Sequence, residues 1–173
     1  MNAITPIEPA FEGTAWEAAI RSVNEWRGHA LNCFAQAETA VSETLLALAA
    51  VPARGAQVKL RRLIGQRFED LDLAIGAGGP FAAEGSKAAQ ALVAFRDQEA
   101  LRPMLCHGAF KVALDRHGQW VLLIKLLSFR VGNADRVTLA LDQREAAAKL
   151  AELKAGTHQL ASALQSVRAR IGT

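Results

Sequence analysis

The sequence has few cysteines and no long apolar stretch. Its two cysteines, Cys33 and Cys106, are too few for a disulfide framework, and this scarcity favours a reducing compartment. Uninterrupted apolar runs, such as Trp120 to Ile124, are far too short to span a bilayer. The N-terminus also lacks the basic start and apolar core of a secretory signal. These absences predict a cytoplasmic protein with no membrane association.

The sequence also lacks internal repeats, coiled-coil heptads and low-complexity tracts. The glycine-rich run at 76–80 does not follow a predicted strand, so it indicates a loop rather than a dinucleotide site. With 173 residues, 51% of them hydrophobic, the chain has the size of one domain. We predict a single helical domain over 14–173 and an extended lead-in over 1–13, which contains Pro6 and Pro9. The net charge of +3 permits binding to a polyanion without requiring it.

Helical periodicity dominates the first two thirds of the chain. Thr14 and Glu17 form a capping-box pattern that predicts a long helix to about Ala50. Apolar spacing predicts a second helix from Gln57 to Ile75. Near its start lies a basic cluster, which suits either a solvated surface or a phosphate-binding patch; its members are Lys59, Arg61, Arg62 and Arg67.

A third helix is predicted from about Phe81 or Ser86 to the stretch Glu99–Gly108. The period then changes to that of strands at 110–114 and 119–129, joined by a turn that ends in Gly118. A third strand is expected from Arg136 to Leu141, after a turn at 132–135. Asp142 and Glu145 form a second capping-box pattern before the last helix. The predicted fold is therefore mainly α: an up-down four-helix bundle with a small antiparallel β-hairpin or three-stranded sheet between helices 3 and 4.

The third helix changes character near its end. Its apolar stripe of Ala88, Leu92 and Phe95 leads at helical spacing to Glu99, Arg102 and Cys106, so the inward side is expected to become charged. Pro103 should kink the helix or restart it at Arg102. Arg102 and His107 would lie about 140° apart around an unbroken helix, and a kink would bring them to one side.

Two charges interrupt the apolar face of the first helix. Arg27 and Glu38 lie on or beside the face that carries Val23, Phe34 and Val41. They are consistent with a half-buried ion pair or with side chains that reach out to water. Alternatively, Glu38 supports a site that another helix contributes.

The string Arg102-Pro-Met-Leu-Cys-His107-Gly resembles the R-x4-H motif of the HEPN superfamily. Its members are four-helix bundles with this Arg and His near the end of the third helix. In several branches the motif is followed by a glycine, a β-hairpin and a final helix that opens with a capping residue. Directly after the Arg the family commonly has a polar residue, often Asn, where this chain has Pro103.

The resemblance implies metal-independent RNA cleavage without a cofactor, often in toxins or phage-defence proteins, by two protomers that pair their motifs across a shared cleft. A histidine imidazole exchanges protons near neutral pH, so His107 is suited to move the proton of a ribose 2′-hydroxyl or of the leaving 5′-oxygen. Arg102 is suited to hold the scissile phosphate. Glu99, one turn earlier, is a candidate to orient the guanidinium, and Glu38 is a second candidate.

Other interpretations of the same residues stay open. Arg102 and His107 are also suited to satisfy carbonyls at a broken helix end. A metal site would take His29 and Cys33, spaced four apart on one helix, with Cys106 and His107. A non-catalytic HEPN-like bundle would bind RNA, a nucleotide or a protein partner such as an antitoxin. The two remaining histidines, His117 and His158, are expected on the surface.

Overall fold

The computed structural model describes residues 14–130 and 133–172, so the predicted lead-in at 1–13 lies outside the described residues. A mainly helical chain carries one small three-stranded antiparallel sheet before its last helix, which confirms that part of the predicted fold. The described residues form five α-helices rather than the four expected. The elements are α1 (Ala15–Ala49), a 3₁₀ helix (Arg54–Gln57), α2 (Ile64–Ile75), α3 (Ala82–Arg96), α4 (Leu101–His107), β1 (Ala109–Leu114), β2 (Trp120–Arg130), β3 (Asn133–Asp142) and α5 (Gln143–Ile171).

The two longest helices begin at the predicted capping boxes. In α1 the Glu17 N–H donates to Thr14 Oγ1, and the Thr14 N–H donates to the Glu17 carboxylate. Asp142 and Glu145 make the same reciprocal bonds at the start of α5. Each box satisfies backbone donors that the first helical turn leaves without partners, which fixes where the helix begins.

The core lies between α1 and α5 and is closed by α3. Trp26 Nε1 donates to the Ala146 carbonyl oxygen at 2.7 Å, which ties the two long helices together where both are buried. Phe95 of α3 packs edge-on against Phe34 of α1 and stacks on Phe68 of α2, with ring centres 5.9 and 6.0 Å apart. The predicted apolar faces of α1 and α3 are therefore the faces that build the core.

The predicted second helix begins later than expected. Residues 58–63 are not helical, and α2 starts at Ile64. Arg61 donates to the buried Asp70 carboxylate at 2.8 Å, and Arg67 donates to the carbonyl oxygens of Arg61 and Arg62. The carbonyl oxygens of Arg61 and Arg62 therefore have hydrogen-bond donors although this segment is not helical. Hydrogen bonding to Arg61 lowers the pKa of the Asp70 carboxyl despite its burial.

The sheet has the order β1-β2-β3 with antiparallel neighbours. The predicted hairpin is present, with Phe110 opposite Ile124 and Leu114 opposite Trp120. The third strand begins at Asn133, three residues before the predicted start, so residues 133–135 of the predicted turn belong to β3, and residue 132 lies outside the described residues. No helix in the described part of the chain combines the length and the apolar character needed to cross a membrane.

Candidate functional site at helix α4

The break before α4 comes from Pro103, which has no N–H to donate to the Glu99 carbonyl. Residues 97–100 form a turn with i→i−3 hydrogen bonds, and a new helix starts at Leu101, one residue before the predicted restart. Pro103 therefore lies in the first turn of α4, where a helix leaves its N–H groups unpaired in any case. The helix is interrupted before the proline and is regular after it.

The new start changes which residues of α4 point inward. The three residues of the expected inward stripe, Glu99, Arg102 and Cys106, are each only partly buried, because the turn at 97–100 resets the helical phase. The buried side chains are instead Leu101, Met104 and Leu105. Arg102 and Cys106 are partly buried at the flank of this face. An apolar face thus anchors the short helix to the core.

Arg102 is held by a carboxylate of α1. Its Nε donates to Glu38 Oε1 in a short ion pair, with 35% of the Arg102 side chain and 21% of the Glu38 side chain exposed. The pair is half-buried, so water screens it less than it screens a surface pair. Glu38 is therefore the residue that orients the guanidinium in this structure.

Arg27 holds the other end of α4. Its Nε donates to the Leu105 carbonyl oxygen at 2.8 Å, and its guanidinium carbon lies 4.5 Å from the centre of the Phe110 ring. The last carbonyls of a helix lack partners within the helix, and a cation satisfies them well. Because Arg27 contacts the C-terminal part of α4 and Glu38 the N-terminal part, α4 runs antiparallel to α1.

His107 is the last residue of α4, and it is exposed. Its imidazole makes no hydrogen bond or ion pair with the part of the chain that the structure describes. It follows Arg102 by five positions of regular helix, which places the two side chains about 140° apart around the helix axis. The expected kink that would bring them to one side is absent from α4, because the chain breaks before Arg102. One chain therefore presents Arg102 and His107 on different sides of α4.

Glu99 contacts a different arginine from the one expected. Its carboxylate lies 3.6 Å from Arg96 Nε, one turn back in the chain. Burial raises the pKa of the Glu99 carboxyl, Arg96 opposes that rise and Glu69 adds to it. The turn at 97–100 separates Glu99 from α4, so the one-turn spacing to Arg102 no longer applies.

The residues of the alternative metal site are not assembled. His29 lies 3.6 Å from Glu25 on the exposed side of α1, whereas Cys33 is buried. Burial raises the pKa of the Cys33 thiol, which disfavours the thiolate that a metal needs. Among the described residues, no group of three or more His, Cys, Asp or Glu side chains is arranged to hold a metal ion.

Half of the basic cluster near α2 serves the fold. Arg61 is bound by Asp70 and Glu69, and Arg67 donates to two backbone carbonyls and to Ser42 Oγ. Lys59 and Arg62 are the exposed members of the cluster. The sequence signal that would have indicated this network is Asp70, a carboxylate on the apolar side of α2.

The grooves on the surface differ in how close they come to α4. Two grooves of about 550 and 570 Å³ flank α5 and share His158, and neither is lined by Arg102 or His107. A third groove, of about 400 Å³ between α1 and α2, is lined by Glu38, Ser42 and Arg62 among others. Glu38 therefore lines this groove and also binds Arg102 of α4.

Two contacts of the site were not expected from the sequence. The bond from Arg27 to Leu105 had no sequence signal beyond a charge on an apolar face, and the burial of Leu101 follows from a turn that only the folded chain shows.

Comparison with protein-family models, with curated proteins and with solved structures finds no match for this chain.

Proposed function

We propose that the chain is a HEPN-like, metal-independent endoribonuclease that acts as a cytoplasmic homodimer in a toxin or phage-defence setting. The observation that carries this proposal is the pairing of two features on α4. Arg102 is oriented by Glu38 yet remains about one-third exposed, and His107 is exposed with no partner among the described residues. An oriented cation and an uncommitted imidazole on one short element suit phosphodiester cleavage.

In the proposed reaction the ribose 2′-hydroxyl oxygen attacks the adjacent phosphorus. His107 takes the hydroxyl proton or gives a proton to the leaving 5′-oxygen, since an imidazole exchanges protons near neutral pH. Arg102 stabilises the charge that builds on the phosphate oxygens. The products are a 2′,3′-cyclic phosphate and a 5′-hydroxyl, and the reaction requires RNA because DNA lacks the attacking group.

The proposal takes the active site from two protomers. A single α4 carries Arg102 and His107 about 140° apart, so one copy of the helix does not direct both side chains at one phosphate. A cleft formed by two copies of α4 around a two-fold axis would bring Arg102 of one protomer towards His107 of the other. This arrangement also matches the shared cleft that the motif resemblance implies.

The direct test compares RNA cleavage by the wild type with cleavage by His107→Ala. We expect the variant to lose at least about a hundredfold in rate, because general acid–base catalysis contributes at least that much. Product analysis should show the cyclic phosphate. The matched control is His158→Ala, which removes an exposed histidine that lies on α5 rather than α4, and it should cleave at the wild-type rate. Equal cleavage by wild type and His107→Ala would overturn the proposal.

A second function is favoured by the ion pair itself. Glu38 neutralises much of the Arg102 charge, which suits a non-catalytic HEPN-like bundle that binds RNA, a nucleotide or a protein partner such as an antitoxin. Expression of the wild type beside the Arg102→Ala, His107→Ala double variant separates the two functions. Growth arrest with RNA breakdown in the wild type alone supports the enzyme, whereas equal growth of both strains supports the binding module.

A further inference from the structure

The solvent-facing side of the sheet carries three exposed cations, Lys111 on β1, Lys125 on β2 and Arg136 on β3. The strand register shows that the three cations point to the same side of the sheet. Lys111 is opposite Leu123, Lys125 is opposite Thr138 and Arg136 is opposite Leu127. Strand residues alternate between the two sides of a sheet, and the other side holds the fully buried Leu122 and Ile124. We call the solvent-facing side the basic sheet face.

The three cations are close neighbours on this face. Lys125 is diagonal to Lys111 across the β1–β2 pair and diagonal to Arg136 across the β2–β3 pair. Diagonal neighbours in an antiparallel pair are roughly 7–8 Å apart, so Lys125 stands at the centre of a band that crosses all three strands. The band spans the width of the sheet.

Nothing in the described chain balances these charges. None of the three side chains forms a hydrogen bond or ion pair with the described residues. The single carboxylate at a described position of this face is Asp142, which is opposite Val121 at the far end and accepts the Glu145 N–H as the cap of α5. Like charges on neighbouring strands repel, and these three stabilise no described contact. A polyanion bound to this face would supply the counter-charge that the described residues do not.

The basic sheet face begins beside the motif histidine. Gly108 alone separates His107 from β1, and Ala109, the first residue of β1, is opposite Lys125. Two residues of chain and one cross-strand step keep the Cα atoms of His107 and Lys125 within about 12 Å of each other. An anionic chain that contacts Lys125 therefore passes close to His107.

We propose that the basic sheet face binds the phosphate backbone of the RNA whose cleavage is assigned above to His107, an inference that rests on that proposed function. Lys125 is the central contact, and Lys111 and Arg136 bind phosphates on either side of it. Such contacts position the RNA without reading its sequence. The sheet thus serves as the substrate platform, and α4 supplies the reacting groups.

The test measures binding separately from cleavage. The probe is a fluorescein-labelled single-stranded RNA with 2′-O-methyl sugars, which lacks the attacking hydroxyl, and its affinity is measured by anisotropy over a range of salt concentrations. We expect Lys111→Gln, Lys125→Gln, Arg136→Gln to bind about tenfold more weakly at low salt. The slope of log K against log salt should become shallower by about 2, because each single-strand phosphate contact contributes about 0.7.

The matched control is Arg21→Gln, Lys87→Gln, Lys154→Gln, which removes one arginine and two lysines from exposed positions on α1, α3 and α5. It should keep the affinity and salt slope of the wild type. All six positions are exposed, so both triple variants should keep their helical circular dichroism. An unchanged slope in the sheet variant, or an equal loss in the control, would overturn the proposal. So would binding to phosphatidylserine vesicles with no binding to RNA.

The two proposals fail in different ways. If the sheet variant loses affinity while the wild type does not cleave an RNA with free 2′-hydroxyls, the binding face stands and the nuclease fails. If the wild type cleaves that RNA while the sheet variant binds the methylated probe as the wild type does, the nuclease stands and the binding face fails.

Discussion

Two charged residues on the apolar face of α1 are explained by a helix far from them in sequence. Arg27 satisfies the Leu105 carbonyl, and Glu38 binds Arg102. A polar group in a partly buried position costs free energy unless it finds a hydrogen-bond partner. Each residue finds its partner on α4 rather than in the other member of the pair. The contacts orient the motif arginine and also hold α4 in place.

At this scale we predict that Glu38→Gln destabilises the protein. The amide keeps the size and an acceptor of the carboxylate but removes its charge, so the half-buried Arg102 loses its counter-ion. We expect the free energy of unfolding to fall by about 1 kcal/mol, since the pair is only partly screened by water. Urea unfolding followed by circular dichroism measures the change. Glu25→Gln, on the exposed side of α1, should leave the midpoint unchanged; equal midpoints for all three proteins would contradict the assigned ion pair.

Among the elements, α4 is the one that depends most on its surroundings. A seven-residue helix is not stable alone, because the unfavourable free energy of nucleating a helix exceeds the stabilisation that one or two turns provide. Its burial of Leu101, Met104 and Leu105 and its contacts to α1 stabilise it. Gly108 completes the arrangement by letting the helix end lie directly against β2. A side-chain carbon at position 108 would lie 2.4 Å from the Met104 carbonyl oxygen and 2.5 Å from Ile124 Cγ2.

We therefore predict that Gly108→Ala separates α4 from the sheet and lowers the free energy of unfolding by about 1–3 kcal/mol, as overpacking does in a dense core. The backbone at Gly108 is extended, so the cost comes from space and not from conformation. Gly28→Ala is the matched control, since nothing lies within 4 Å of the added carbon on α1. A helix-interior alanine should raise stability there by about 0.5–1 kcal/mol. Thermal unfolding of the two variants should shift in opposite directions; a stabilising Gly108→Ala would contradict the close approach.

For the whole molecule the decisive feature is the angle between Arg102 and His107 on α4. A chain that carries the two groups on different sides of one helix needs a second copy to complete the proposed site. The exposed position of His107 leaves it accessible to such a partner.

Mixing two inactive variants tests this requirement. Arg102→Ala and His107→Ala should each be inactive alone, but their heterodimer would hold one complete site, with Arg102 and His107 from different chains. After subunit exchange at equal concentrations, statistical pairing predicts about a quarter of the wild-type RNA cleavage. Absence of any recovery, with exchange verified by mass spectrometry, would show that each site uses one chain alone. A mixture of either variant with the double variant Arg102→Ala, His107→Ala is the control and should stay inactive.

The sequence by itself determined the elements whose signals are local. Both capping boxes, the apolar faces of α1 and α3 and the β1–β2 hairpin depend on residues within a few positions of one another, so their spacing suffices. The break near Pro103 was also predictable, because proline disrupts a helix through its own missing donor.

Only the tertiary structure decided which residues meet across the chain. The choice of Glu38 over Glu99 as the partner of Arg102, the phase of α4 and the extended segment at 58–63 depend on long-range contacts. A short segment adopts the conformation that its neighbours stabilise. The free-energy differences between its local conformational preferences are small, whereas burying an apolar side chain or pairing a charge changes the free energy by more. The angle between Arg102 and His107 around α4 was likewise decided by the tertiary structure. It depends on where the turn before α4 restarts the helix.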